Sequence, residues 1–236
     1  MKILAIIPAR GGSKRIPGKN LKLLGDKPLI VWSIEVALAS KSFDRVMVST
    51  EDSKIAEVSK NFGAEVPWLR PAHLASDEAT SEDVVIDFLN RINTETGAMP
   101  DALMLLQPTS PFRTVRSIHR AIDLFEKSGG DSIVSVSPPA THPYLCKVLD
   151  ENGEMKPFIP DQPEIHRTQD LPAVYQLDGV IYLASTQNIL VEKNFYSKHT
   201  RGLIIDDPHE SIDIDTPFDW LMAETILAES KRKGIP

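Results

Sequence analysis

Two uninterrupted apolar runs, Ile3-Leu4-Ala5-Ile6-Ile7 and Ala102-Leu103-Met104-Leu105-Leu106, do most to restrict what this chain can fold into. Neither alternates with polar residues, so a strand made from either must be covered on both faces, as in the middle of a layered sheet. Each run stops at a proline-containing loop: Pro8-Ala9-Arg10-Gly11-Gly12 after the first, Gln107-Pro108-Thr109-Ser110-Pro111 after the second. Between and after them the pattern alternates. Residues 28–40 place Ile30, Ile34, Ala37 and Leu38 at helical spacing, and residues 45–49 are β-branched and strand-like. Asp52 is placed to cap a helix ending near Gly63, and residues 65–68 read as a further strand. Thr80-Ser81-Glu82-Asp83 forms a capping box ahead of Val84, Val85, Phe88, Leu89 and Ile92. An amphipathic stretch at 117–128 precedes a strand at 132–136.

This alternation predicts an α/β fold: a Rossmann-like, doubly wound, mostly parallel sheet. Such sheets bind ligands beyond the carboxyl ends of their strands, which selects the loops after Ile7 and Leu106. The pattern breaks at Pro138-Pro139. Residues 145–149 and 155–158 flank Asn152-Gly153, a hairpin signal, so residues 140–175 read as a small inserted subdomain. A strand at 180–183, a helix at 186–192 and a final helix at 217–230 follow. One domain over 1–236 carrying that insertion accounts for the whole chain.

Composition decides where to look. At 236 residues, 42% hydrophobic and 25% charged, the chain has material for one large core. No apolar run reaches a membrane span, the start is too short for a signal peptide, and a single cysteine, Cys146, allows no internal disulfide. A cytoplasmic protein is expected, with no membrane partner. A formal net charge of −7 argues against general nucleic-acid binding and requires any anionic ligand to find a local cluster of cations.

That cluster is Ala9-Arg10-Gly11-Gly12-Ser13-Lys14-Arg15-Ile16-Pro17-Gly18-Lys19-Asn20. Glycines let backbone N–H groups approach a phosphate closely, and the four cations neutralise it. The spacing is not that of a Walker A loop, and no G-x-G-x-x-G is present. Near the other end, Asp213 and Asp215 alternate with Ile212 and Ile214, so in extended backbone the two carboxylates share one face. Paired carboxylates suit Mg²⁺ together with phosphate oxygens, although a half-buried strand with solvated aspartates shows the same alternation. Gln107 carries both a donor and an acceptor suited to sugar hydroxyls or a carboxylate, and equally fits a polar proline turn.

Four segments, residues 6–20, 106–113, 167–179 and 211–220, together resemble the cytidylyltransferases that activate sialic acids and related 2-keto acid sugars, and they occur in that family's order. The resemblance implies an enzyme transferring CMP from CTP to a nonulosonic acid such as N-acetylneuraminic, legionaminic or pseudaminic acid. It implies catalytic roles for Arg10, Lys19 and Asp213, and Mg²⁺, replaceable by Mn²⁺, on Asp213 and Asp215. Nucleotide contacts are implied for Arg10, Gly11, Gly12, Ser13, Lys14, Lys19 and Asn20, with Arg70, Thr80 and Ser81 around cytosine; Thr80 and Ser81 are equally explained as capping residues. The acceptor sugar is expected at Gln107, Thr109 and Ser110, and at Arg167, Gln169 and Tyr175 in the insertion, which also implies a homodimer. Enzymes for the eight-carbon sugar KDO carry an acidic metal ligand where this chain has Pro108-Thr109, which favours the sialic acid branch. Asp178 stands where asparagine is expected, leaving the acceptor's identity open. His142, His166 and His209 lack metal-ligand spacing. A KDO or other sugar nucleotidyltransferase, and a non-catalytic nucleotide-binding module on the same scaffold, remain compatible with the motifs.

Overall fold

The computed structural model describes residues 1–160 and 167–233, so His166 and part of the expected insertion lie outside the described residues. The first apolar run forms β1 (Ile3–Pro8). After the glycine-rich loop come the two-residue strands β2 (Leu23–Leu24) and β3 (Lys27–Pro28), which pair with each other and lead into α1 (Leu29–Ser40). The chain continues through β4 (Arg45–Ser49), α2 (Ser53–Asn61), α3 (Ser81–Thr96), β5 (Ala102–Leu105), α4 (Val115–Lys127) and β6 (Ser132–Ser137). Then come β7 (Lys147–Leu149), β8 (Met155–Pro157), β9 (Gln176–Ser185), α5 (Thr186–Glu192), β10 (Arg201–Ile204) and α6 (Pro217–Lys233).

Six strands form one sheet in the order β10-β6-β9-β5-β1-β4. β1 pairs in parallel with β4 and β5, and β10 in parallel with β6; only β9 runs antiparallel, to both β5 and β6. The expected mostly parallel α/β sheet is therefore present, with one reversed strand in its middle. Every residue of β5 is buried, as its unbroken apolar pattern requires. One core layer on a sheet face joins Ile7, Ile30, Ile34, Ile118 and Phe125, and a second joins Met47, Phe88, Leu89, Leu103 and Phe195. The caps fall where expected: the Asp52 side chain accepts from the N–H groups of Lys54 and Ile55, and Thr80 with Asp83 closes a capping box on α3. The strand expected at 65–68 shrinks to one parallel bridge between Met47 and Glu65. Two of those four residues, Val66 and Trp68, belong to core packing, and that packing needs no ladder.

β7 and β8 pair antiparallel apart from the main sheet, and Gly153 at φ 81° supplies the left-handed turn between them. All six of their residues are exposed. A third small cluster, Ile16, Leu24, Leu29, Ile214 and Trp220, packs the glycine-rich loop against the segment before α6. This apolar knot holds the loop after β1 against the segment that precedes α6.

Candidate active site

The knot decides the geometry around it. Ile214 is fully buried, and its N–H donates to the Thr109 carbonyl at 2.8 Å, so Asp213 and Asp215 are set on the surface on either side of it. Asp219, in the first turn of α6, accepts the N–H groups of Asp215 at 3.0 Å and Thr216 at 2.7 Å, which fixes that backbone. Across from it, Lys19 lies in a short 3₁₀ turn after Gly18, whose φ of 64° is left-handed. The Lys19 ammonium donates to the Ile214 carbonyl at 2.6 Å and pairs with Asp215 at 3.1 Å, while Arg15 reaches the other Asp215 oxygen at 3.3 Å. The cationic loop and the acidic segment, 196 positions apart along the chain, are thus in direct contact.

Together they wall a cleft of about 560 Å³ at the carboxyl ends of β1 and β5. Partial burial and, to a lesser degree, the neighbouring Asp215 push the Asp213 carboxyl above its ordinary range; Thr109 and Lys19 oppose the shift. At the rim, Arg10 pairs with Asp77 at 2.9 Å and donates to the Ser76 carbonyl at 3.0 Å, and Lys14 pairs with the second Asp77 oxygen. The contact with Lys14 holds the Asp77 carboxyl below the usual range. The buried Asn20 amide donates to the Arg10 carbonyl at 2.9 Å, so it shapes the loop from inside.

Arg70, Thr80 and Ser81 line the same cleft. Arg70 is buried and ion-paired with Glu51 at 2.9 Å. On the opposite wall, Gln107 packs against Gly179, where a Cβ would come within 2.8 Å of its amide oxygen. That approach, with a φ of 76°, requires glycine at this position. Below it, the buried guanidinium of Arg113 donates to the carbonyls of Val180 at 2.5 Å and Gln107 at 3.0 Å and to the Ser33 hydroxyl at 3.1 Å. Burial lowers the Arg113 pKa to about 9, with Glu210 and, less strongly, Asp178 opposing, so it stays a cation at neutral pH.

The Cytidylyltransferase family profile matches residues 4–231. The chain belongs to the cytidylyltransferase family. It is 43% identical to the CMP-N,N'-diacetyllegionaminic acid synthase of Legionella pneumophila subsp. pneumophila, over 96% of this chain and 97% of that one. It is 32% identical to the pseudaminic acid cytidylyltransferase of Campylobacter jejuni, over 96% of each. The N-acylneuraminate cytidylyltransferase of Escherichia coli O18:K1:H7 is 34% identical over 99% of this chain, which spans 54% of that longer protein. A solved CMP:2-keto-3-deoxy-manno-octonic acid synthetase in complex with CTP shares the fold, with a TM-score of 0.70 and 18% identity, covering 98% of this chain and all of that one.

In this cytidylyltransferase the cleft gathers Arg10, Ser13, Lys14, Lys19, Asn20, Arg70, Thr80, Ser81, Gln107, Thr109, Asp213 and Asp215. Gly11 stands beside it, with its N–H on Glu51 at 2.7 Å, and Gly12 next to it has open space around its Cα. Ser110 lies fully buried beneath Gly179 rather than on the cleft wall. Arg167, Gln169 and Tyr175 do not join the lining; all three are exposed on the segment leading to β9. Asp178, which stands where asparagine is expected, is buried. Its Oδ1 accepts from the Ser135 hydroxyl and from the Val180 N–H at 3.0 Å. Sequence reasoning missed Glu51, Asp77 and Arg113. Arg113 ends a motif quoted above, and that position was its one available signal.

Proposed function

We propose that this enzyme transfers CMP from CTP to the anomeric hydroxyl of a sialic-acid-type nonulosonic acid and releases pyrophosphate. The observation that carries the reading is the contact of Lys19 with Asp215 and the Ile214 carbonyl, which puts the basic glycine-rich loop and a carboxylate pair on one cleft. In the reaction the sugar oxygen bonds to the α-phosphorus, the bond from that phosphorus to the β-phosphate bridging oxygen breaks, and the hydroxyl proton passes to a base in the cleft. Positioning and charge neutralisation supply most of the acceleration in such displacements. Arg10, Lys14 and Lys19 would exchange their present carboxylate partners for triphosphate oxygens, and Arg70 with the backbone near Thr80 and Ser81 would read cytosine.

Asp213 and Asp215 fit Mg²⁺. They are hard oxygen donors on one cleft, and two carboxylates leave room for the phosphate and water oxygens that this ion favours. Asp215 is already held by Lys19 and Arg15, so Asp213 is the freer of the two ligands. When bound, the ion would neutralise charge on the phosphates and acidify the attacking hydroxyl. Gln107 and Thr109 would orient the acceptor. Arg167, Gln169 and Tyr175 are exposed on the segment before β9, and the β7–β8 hairpin earlier in the same insertion carries exposed apolar side chains; both features support these residues completing the acceptor pocket across a homodimer. The single cysteine supports a cytoplasmic setting.

A pyrophosphate-release screen with Mg²⁺ tests the proposal, with CTP or UTP against N,N'-diacetyllegionaminic, pseudaminic, N-acetylneuraminic acid and KDO. Release with CTP and one of the nine-carbon acids, abolished by EDTA, is expected. Release only with KDO or only with UTP would overturn it, as would none with any pair.

A further inference from the structure

Glu51 lies one residue ahead of the Asp52 cap on α2, outside any strand or helix, and its two oxygens serve two different loops. Oε1 accepts the Gly11 N–H at 2.7 Å, and Oε2 pairs with Arg70 Nη2 at 2.9 Å. Gly11 belongs to the basic loop, and Arg70 lines the cleft beside it. A carboxylate beside a polyanion site repels the ligand unless donors take up its charge, and here a backbone N–H and a guanidinium do so. The Arg70 side chain is only 5% exposed and the Glu51 side chain 23%, so solvent screens this pair far less than a surface one.

The surrounding backbone repeats the link. The Ala9 N–H donates to the Ser49 carbonyl at 2.9 Å, and the Arg70 N–H to the Thr50 carbonyl at 2.8 Å. A Cβ at Gly11 would stand 2.6 Å from Asp52 Oδ2 and 3.2 Å from its Cβ, so a larger residue there would have to displace the Asp52 capping side chain or move the loop away from it. Both loops hang on the same short turn, and Glu51 is its only side chain that reaches both of them.

We propose that Glu51 is a positioning residue that sets nucleotide selectivity. It holds Arg70 in the orientation that faces the base and fixes the distance from that arginine to the phosphate loop. A rigid spacing makes the base contact and the phosphate contacts available together only to a nucleotide whose base satisfies Arg70. This rests on the proposed reading of the cleft as a CTP site.

The test is Glu51→Gln, which keeps size and shape and removes the charge, followed by CTP and UTP binding by calorimetry and by transfer kinetics. The expected result is about a tenfold loss in CTP affinity and a similar fall in the CTP-over-UTP preference, the scale of one charge-assisted hydrogen bond. The KM for the acceptor stays put. Arg70→Met collapses the preference by itself, and adding Glu51→Gln to it lowers the preference no further. An unchanged CTP-over-UTP preference in Glu51→Gln overturns the proposal, as does an equal loss with both nucleotides or a further drop in the double variant. If Glu51→Gln does not fold, Glu51→Asp takes its place under the same criteria, because it keeps the charge but is one methylene too short to span both partners. Calorimetry needs no acceptor. Absent transfer by the unaltered enzyme would therefore sink the proposed reaction while leaving the Glu51 measurement readable.

Discussion

The cleft and the arm are built on opposite principles. Around the cleft, Arg10, Lys14, Arg15 and Lys19 each hold a carboxylate, and an apolar knot welds the N-terminal loop to the segment before α6. The arm is a two-stranded ribbon that leaves Val148, Leu149, Met155 and Phe158 exposed and rests on its own hairpin pairing. An isolated two-stranded hairpin is marginal in water, and Leu149 and Met155 face each other across this one as an exposed apolar pair. One chain thus organises the proposed nucleotide end of the site, while Arg167, Gln169 and Tyr175, expected on the acceptor carboxylate, are exposed outside the cleft lining. Perturbing each region separately should reveal that division.

The largest effects belong to the cleft. Asp213→Ala and Lys19→Ala should each cut turnover about a hundredfold or more, the usual consequence of removing one preorganised charge contact at a reacting centre. Circular dichroism and cooperative melting should stay those of the parent enzyme. A variant with near-parental turnover would show that the altered residue takes no part in the reaction.

Next come substitutions on the arm. Met155→Asp combined with Phe158→Asp should shift sedimentation toward a single chain and raise the KM for the acceptor about tenfold, the scale of losing an apolar anchor from an interface. The KM for CTP should not move. A monomer with the parental acceptor KM would show that the arm has no part in the site. Arg167→Lys sharpens the same point with a smaller, severalfold rise in acceptor KM, because lysine keeps the charge but loses the planar fork that grips both carboxylate oxygens. Equal changes in both substrates' KM would contradict the division.

Much of the cleft was legible because its signals are local. The unbroken apolar runs identify central strands, and the loops at their carboxyl ends are where a parallel sheet places its ligands. Asp52 and Thr80 are read correctly as caps because a cap needs only its own first turn. The reversed direction of β9 was not legible, since period-two patterning is the same for a parallel and an antiparallel strand. The strand expected at 65–68 failed for a related reason: apolar residues there report burial, while a ladder needs neighbours that only the fold supplies. Arg113 and Asp178 look like surface charges in a sequence, and their burial beneath Gln107 and Gly179 depends on contacts between α1, β6 and β9. The paired Asp213 and Asp215 could be read as a shared face, but their meeting with Lys19 depends on the packing of Ile16 against Ile214 and Trp220.

The smallest expected effect comes from the floor between the two regions. Asp178 is buried, its Oδ2 has no hydrogen-bond partner among the described residues, and burial raises its pKa above the ordinary aspartate value of 3.8. Such a carboxyl binds its proton more tightly folded than unfolded, so stability falls as pH rises from 3.8 through the raised folded value. Above that window it is charged in both states, and the folded protein bears the full penalty. Asparagine keeps the shape and an acceptor for the Ser135 hydroxyl and the Val180 N–H, and does not titrate. Asp178→Asn should therefore raise Tm at pH 7 by a few degrees or less, and the gain should shrink as the window is crossed and vanish below 3.8. Thermal melts of both proteins across that range decide it. A variant less stable at pH 7, with a deficit that disappears in acid, would mean that the charge is retained as the counterion of Arg113. The floor under Gln107 would then be held by an ion pair rather than by shape.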